Sequence, residues 1–163
     1  MDNMKMDALR KAMEAYGEAL CLEIVQQLKD AGKEATGALA KSIDYELIET
    51  LDSIAIGIKG ESYLGVVDGG RRKGAKPPPT SAIIKWMDVK GIKGRNPKTG
   101  KFQSQKSTAF AIARGISKNG IKPAFVIKKS LRKLKSLQNK LLTDAAVEDM
   151  QKMIQGVFLI NNP

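Results

Sequence analysis

Histidine is absent from this chain and cysteine occurs once, at position 21. Together these exclude an intrachain disulfide, a zinc site built from Cys and His, and any catalytic arrangement that uses imidazole as a base. Cys21 lies in a half-apolar helical stretch with no histidine to activate it, the setting of a small hydrophobe rather than of a nucleophile. Aromatic residues are few, 5% of 163 positions with a single tryptophan. No apolar run approaches the roughly 20 residues that span a bilayer. The start, MDNMKMDALRK, carries acids and no apolar stretch of the signal-peptide kind, so the cytoplasm is the expected site. A phosphate loop is also missing: TGK at 99–101 lacks the glycine five residues before Gly100, and Phe102 stands where Ser or Thr would ligate magnesium. The carboxylates are scattered over polar faces rather than paired. No catalytic residue, cofactor or metal site is expected, and the chain does not read as an enzyme.

What is abundant is positive charge, and it is unevenly spread. Residues 68–135 hold 19 Lys/Arg against 2 Asp/Glu, whereas residues 1–67 hold 7 against 12 and residues 136–163 hold 2 against 3. A basic block between two mildly acidic ones points to a polyanion or an acidic protein surface as partner.

Hydrophobic spacing predicts the elements. Leu9, Met13, Tyr16, Leu20, Ile24 and Leu28 recur at three- and four-residue steps, which predicts a helix over 4–30 stopped by Gly32. Ile43-Tyr45-Leu47 and Ile54-Ile56-Ile58 alternate with period two and predict a β-hairpin with one face buried. Residues 62–67 fit a strand or a helical turn, and Asp68-Gly69-Gly70 reads as a turn. Each residue before a proline is pushed out of the α region, so 76–79 should be extended, followed by a helix capped by Thr80 or Ser81. That helix has Ile83, Ile84 and Met87 as its apolar face, with Trp86 beside them as a core anchor. Residues 91–106, with three glycines and five Lys/Arg, predict an exposed loop or long hairpin. Ser107 or Thr108 should cap the next helix, which carries Phe110, Ile112, Ala113 and Ile116 and ends at Gly120. A last helical region starts near Pro123, breaks near Thr143 and resumes, and the apolar GVFLI at the end adds a strand or meets another subunit.

The fold class that follows is α+β: a long N-terminal helix, a small mainly antiparallel sheet, short helices and a long C-terminal helical region. One domain is expected over 1–142, with basic loop 91–106, and a helical extension over 143–163. Gly69, Pro77, Pro78, Trp86 and Phe110 are assigned to fixing the fold. Arg71, Arg72, Lys73, Lys76, Lys93, Arg95, Lys98, Lys101 and Lys106 form the expected assembly or DNA-facing surface. Lys outnumbers Arg, and Phe102 is the basic loop's one aromatic, which suits point-charge contacts better than base readout.

Three stretches, TGALAKSI, SYLGVVDGGRRKGAKPPPTSAIIKWMDVKG and STAFAIARGISKNGIKPAFVIKKSL, occur in this order over about residues 30–132. Their order and spacing resemble the head–tail connector and tail-completion proteins of tailed bacteriophages, sometimes called minor tail components. In that family a Tyr, here Tyr63, precedes a glycine turn, and a Pro-Pro pair leads into an Ile-x-x-Trp helix, here Ile83 and Trp86. An Ala-Phe-x-Ile-Ala helix then precedes Gly-Ile-x-Pro and a Phe. The resemblance implies a virion structural protein that joins a homo-oligomeric ring at the neck, around the channel through which DNA leaves. It implies portal or connector and tail proteins as partners, transient contact with genomic DNA, and no membrane. The alternative reading is a non-virion nucleic-acid-binding protein that uses the basic block 68–135 as a clamp.

Overall fold

The computed structural model describes residues 6–33, 37–50, 53–95 and 99–161, with side chains to residue 155. The chain is α+β: helices α1 (Asp7–Asp30) and α2 (Ala38–Ser42), strands β1 (Asp44–Glu49) and β2 (Ile54–Lys59), then α3 (Leu64–Gly69), α4 (Thr80–Lys90), α5 (Gln105–Asn119), α6 (Val126–Lys133) and α7 (Lys135–Asn161). It divides into two compact units, residues 1–27, 42–60 and 126–163 forming the first and residues 28–41 and 61–125 the second. The boundary expected at 142–143 instead lies inside α7, which is continuous there.

The first unit contains most of α1, the hairpin and the last two helices. The buried stripe of α1 runs through Ala8, Ala12, Tyr16, Leu20 and Ile24, a strict four-residue step. Leu9 and Met13, expected in the core, are only half-buried. The reason is close approach: Ala8 and Ala12 cluster with Ala145 of α7, where larger side chains would hold the helices apart. Asp149 of α7 is 5% exposed and accepts hydrogen bonds from the Ala8 and Leu9 backbone N–H groups at 3.0 and 2.9 Å. It thereby satisfies two of the orphan donors at the α1 N-terminus and places negative charge at the positive end of the helix.

The strands pair antiparallel as the expected hairpin, Tyr45 opposite Ile58 and Leu47 opposite Ile56. Their alternating face is half-buried, and the Tyr45 ring lies over Gly17, where an added Cβ would come within 2.5 Å of it. Cys21 is half-buried, and burial, with Asp44 adding to it, pushes its thiol pKa up and so keeps it protonated. The helical break falls at Leu134 rather than Thr143, and hydrogen bonds from Leu134 to Ser130 and from Gln138 to Leu134 carry the ladder nearly unbroken across it. The GVFLI segment is helical backbone, not a strand.

The core of the second unit is the α4–α5 contact. Ile83 and Met87 pack on Ala109 and Ala113, with Ile84, Ile92, Ile112 and Ile116 around them. Two alanines four residues apart let α4 approach α5 closely. Of residues 62–67, left open between strand and helix, 64–67 enter α3, which also takes in Asp68 and Gly69, expected as part of a turn. The helix caps also differ from the expected ones. Pro79 takes the N-cap position of α4 with no side-chain bond, and the Ser104 hydroxyl caps α5 by accepting from the Ser107 N–H at 3.2 Å. In both cases the helix starts earlier than the Ser/Thr pair inside it suggests.

Candidate assembly and polyanion-binding surface

The segment DGGRRKGAK is held in place by a clasp between two helix ends. Helix α3 ends at Gly70 (φ 73°, ψ −165°) and α5 at Gly120 (φ 74°, ψ −173°), a backbone region essentially confined to glycine. The next residues pair: Arg71 N–H donates to the Ile121 carbonyl at 2.9 Å, and Ile121 N–H donates to the Arg71 carbonyl at 2.8 Å. A Cβ on Gly70 would lie 2.5 Å from the Ile121 carbonyl oxygen, and one on Gly120 would collide with the Arg71 carbonyl. Further down, Gly74 N–H donates to Ser117 O at 2.7 Å and the Ser117 hydroxyl donates to Ala75 O at 2.6 Å. Ala124 and Phe125 N–H groups donate to the Val67 and Asp68 carbonyls at 3.1 and 3.0 Å. Phe125 enters α6 at φ 53°, the one positive φ outside glycine among the described residues.

The clasp sorts the predicted basic residues into two kinds. Arg71 is half-buried, its Nη2 donates to the Lys76 carbonyl, and its Nε is buried without a partner. It belongs to the clasp more than to any outward surface. Arg72, Lys73 and Lys76 are exposed on the rigid loop so formed. Gly69, assigned to the fold, is the last residue of α3 with open space beside it, and the constraint falls on Gly70. Pro77 and Pro78 lie in the expected extended run before α4.

The loop before α5 is closed by a bridge between Arg95 and Phe102 and by a bond from Gln103 N–H to Gly94 O at 3.0 Å. The Arg95 guanidinium stacks 4.5 Å from the Phe102 ring centroid, a cation–π pair. Gly94 is pressed against Thr108, so the loop folds back on α5. Lys93, Arg95, Lys101 and Lys106 are exposed, and Lys98 lies outside the described residues.

Two aromatics assigned to the core are not in it. Trp86 is 40% exposed and lines an apolar groove of about 470 Å³ with Tyr63, Val67, Ile116 and Ile121, and with Lys33 beside them. Met87, one residue on, takes the core place instead and is 1% exposed, because α4 turns that face to the two alanines of α5. Phe110 is 61% exposed for the same reason: Ala109 and Ala113 occupy the buried face of α5 and leave position 110 on the other side.

That outer face joins Lys106 and Phe110 to two residues the sequence reading passed over, Arg114 and Lys118. Lys106, Phe110, Arg114 and Lys118 follow one another at four-residue steps, and all four are exposed. The missed signal was the alanine spacing, which identifies the buried face of α5 more sharply than its larger residues do.

No protein-family model, curated protein or solved structure matches this chain. Among the described residues no three His, Cys, Asp or Glu side chains cluster as metal ligands, and no helix is long and apolar enough to cross a membrane. The second unit carries 17 Lys/Arg against 5 Asp/Glu, and the first carries 11 against 12. The positive charge is thus a property of one unit. Exposed cations held on hydrogen-bonded loops could contact anionic groups there.

Proposed function

We propose that the protein is a non-catalytic structural component of a tailed-phage virion, joining a ring at the neck, as a connector or tail-completion protein, around the DNA exit channel. The observation that carries this reading is the placement of the phage-like stretches. Residues 62–91 lie wholly in the second unit, as do residues 107–125, and the Gly70–Gly120 clasp ties the two stretches together. A closed ring needs a heterologous interface, one side of a subunit meeting a different side of the next. A chain with one strongly basic unit and one near-neutral unit is suited to that. The partners would be further copies of this chain and the portal and tail proteins above and below it, with genomic DNA passing nearby.

Gradient sedimentation of a lysate of the source phage or prophage, with quantitative mass spectrometry of this chain, tests the proposal. Co-migration with DNA-filled particles at a small fixed ratio to portal protein is expected. Recovery only among free proteins would sink it. The second reading, a free nucleic-acid-binding protein, is favoured by the Arg95–Phe102 stack within the basic unit.

A further inference from the structure

We infer that the outer face of α5, with the groove at its N-terminal end, is a binding site for single-stranded nucleic acid. The inference is independent of the virion reading, since a neck protein and a free binder alike could carry such a site.

Three observations support it. First, Lys106, Phe110, Arg114 and Lys118 are exposed and four residues apart, so each is displaced only about 40° round the helix from the one before. They form a stripe about 18 Å long, with an aromatic ring between cations. Phe110 is 61% exposed between these charges. Stacking against the face of a base gives such a ring a use, while the flanking cations neutralise the phosphates on either side. Second, the loop entering α5 repeats the combination. Phe102 is 64% exposed with Arg95 stacked on it, and Lys101 precedes it. Third, Phe102 walls a groove of about 440 Å³ that also holds Lys93, Gln103 and Asp88, whose carboxylate accepts from the Gln105 amide on the same wall. An aromatic wall, a cation and amides are what a splayed base and its phosphate require. A duplex keeps its bases stacked inward and offers such rings nothing, and an acidic chain without aromatic side chains offers charge without flat faces. Single strands satisfy both halves of the site.

The test uses the full chain and fluorescence anisotropy with labelled oligothymidylate, a duplex of equal length, and polyglutamate, each over a range of salt. Oligothymidylate should bind the most tightly. Phe110→Ala should weaken that binding about tenfold or more without changing the salt slope, and Phe110→Tyr should restore it. Arg114→Gln with Lys118→Gln should keep the preference for single strands while reducing the slope by about 0.7 per charge removed. Equal affinity for duplex or polyglutamate would overturn the inference, as would a Phe110→Ala protein that binds as the parent does. Phe110 is outside the core, so circular dichroism of the variant should match the parent, and the particle sedimentation decides the virion reading separately.

Discussion

Gly70 and Gly120 carry a constraint that no other residue type can meet cheaply. Each ends a helix in a conformation at φ near +73° and ψ near 180°, and each faces backbone of the other's strand across the Arg71–Ile121 bridge. Gly70→Ala and Gly120→Ala should each destabilise the protein by about 1–3 kcal/mol from backbone strain, with the steric clash adding to it. Gly115→Ala, in the interior of α5 with open space beside it, should stabilise by about 0.5–1 kcal/mol. Urea midpoints of the three variants check the contrast, and equal behaviour of all three would remove the clasp from the account. The double glycine at 69–70 was visible in the sequence, but which of the two mattered was not. That depended on residue 121, far along the chain.

Among elements, α6 and α1 are joined by an ion pair that makes stability sensitive to acid. Lys133 Nζ lies 2.8 Å from Glu23 Oε2, and Gln27 donates to the same carboxylate through Oε1 at 2.8 Å. The hydrogen bond from Lys133, then that from Gln27, hold the Glu23 carboxyl below its usual pKa against the opposing effect of burial. A carboxyl lowered in the folded state contributes stability that is fully present above the unfolded pKa, about 4.3 for Glu, and is lost as pH falls below it. Chemical denaturation from pH 7 to pH 3 should therefore show a steeper acid loss for the parent than for Glu23→Gln. Parallel curves would mean the pair is not formed in solution. The helices themselves were legible from apolar spacing, as was the hairpin from its period-two runs. Caps and breaks were less so. Ser107 and Thr108 looked like a helix start, yet Ser104 won because it stands three residues before Ser107 with extended backbone. Thr143 looked like a break, but a single Thr costs little within a long helix held by Ala145 and Asp149 against α1.

For the protein as a whole, the positive charge is concentrated in one of the two units. Arg72→Glu with Lys73→Glu reverses charge on the clasped loop at exposed positions and leaves Arg71, which is tied to Lys76, in place. On the proposed neck function, incorporation into particles should fall sharply, while the unfolding free energy from urea denaturation stays within about 0.5 kcal/mol of the parent, as is usual for surface substitutions. Normal incorporation would remove this loop from the assembly surface. A variant at Arg71 would confuse the two effects, since it would also loosen the clasp.

The sequence alone determined the α+β class, the long first helix, the hairpin, the extended proline run and the helix after it. All of these follow from local periodicity and from backbone restrictions imposed by neighbouring residues. It also determined the unequal distribution of charge, which needs only counting. Tertiary structure decided which face of α4 and α5 is buried, because close packing of Met87 on Ala109 and Ala113 excludes the larger Trp86 and Phe110 from that contact. It decided that Arg71 turns inward while Arg72 and Lys73 do not. It decided as well that two glycines fifty positions apart share one constraint, since a clash between backbones exists only once the fold brings them together.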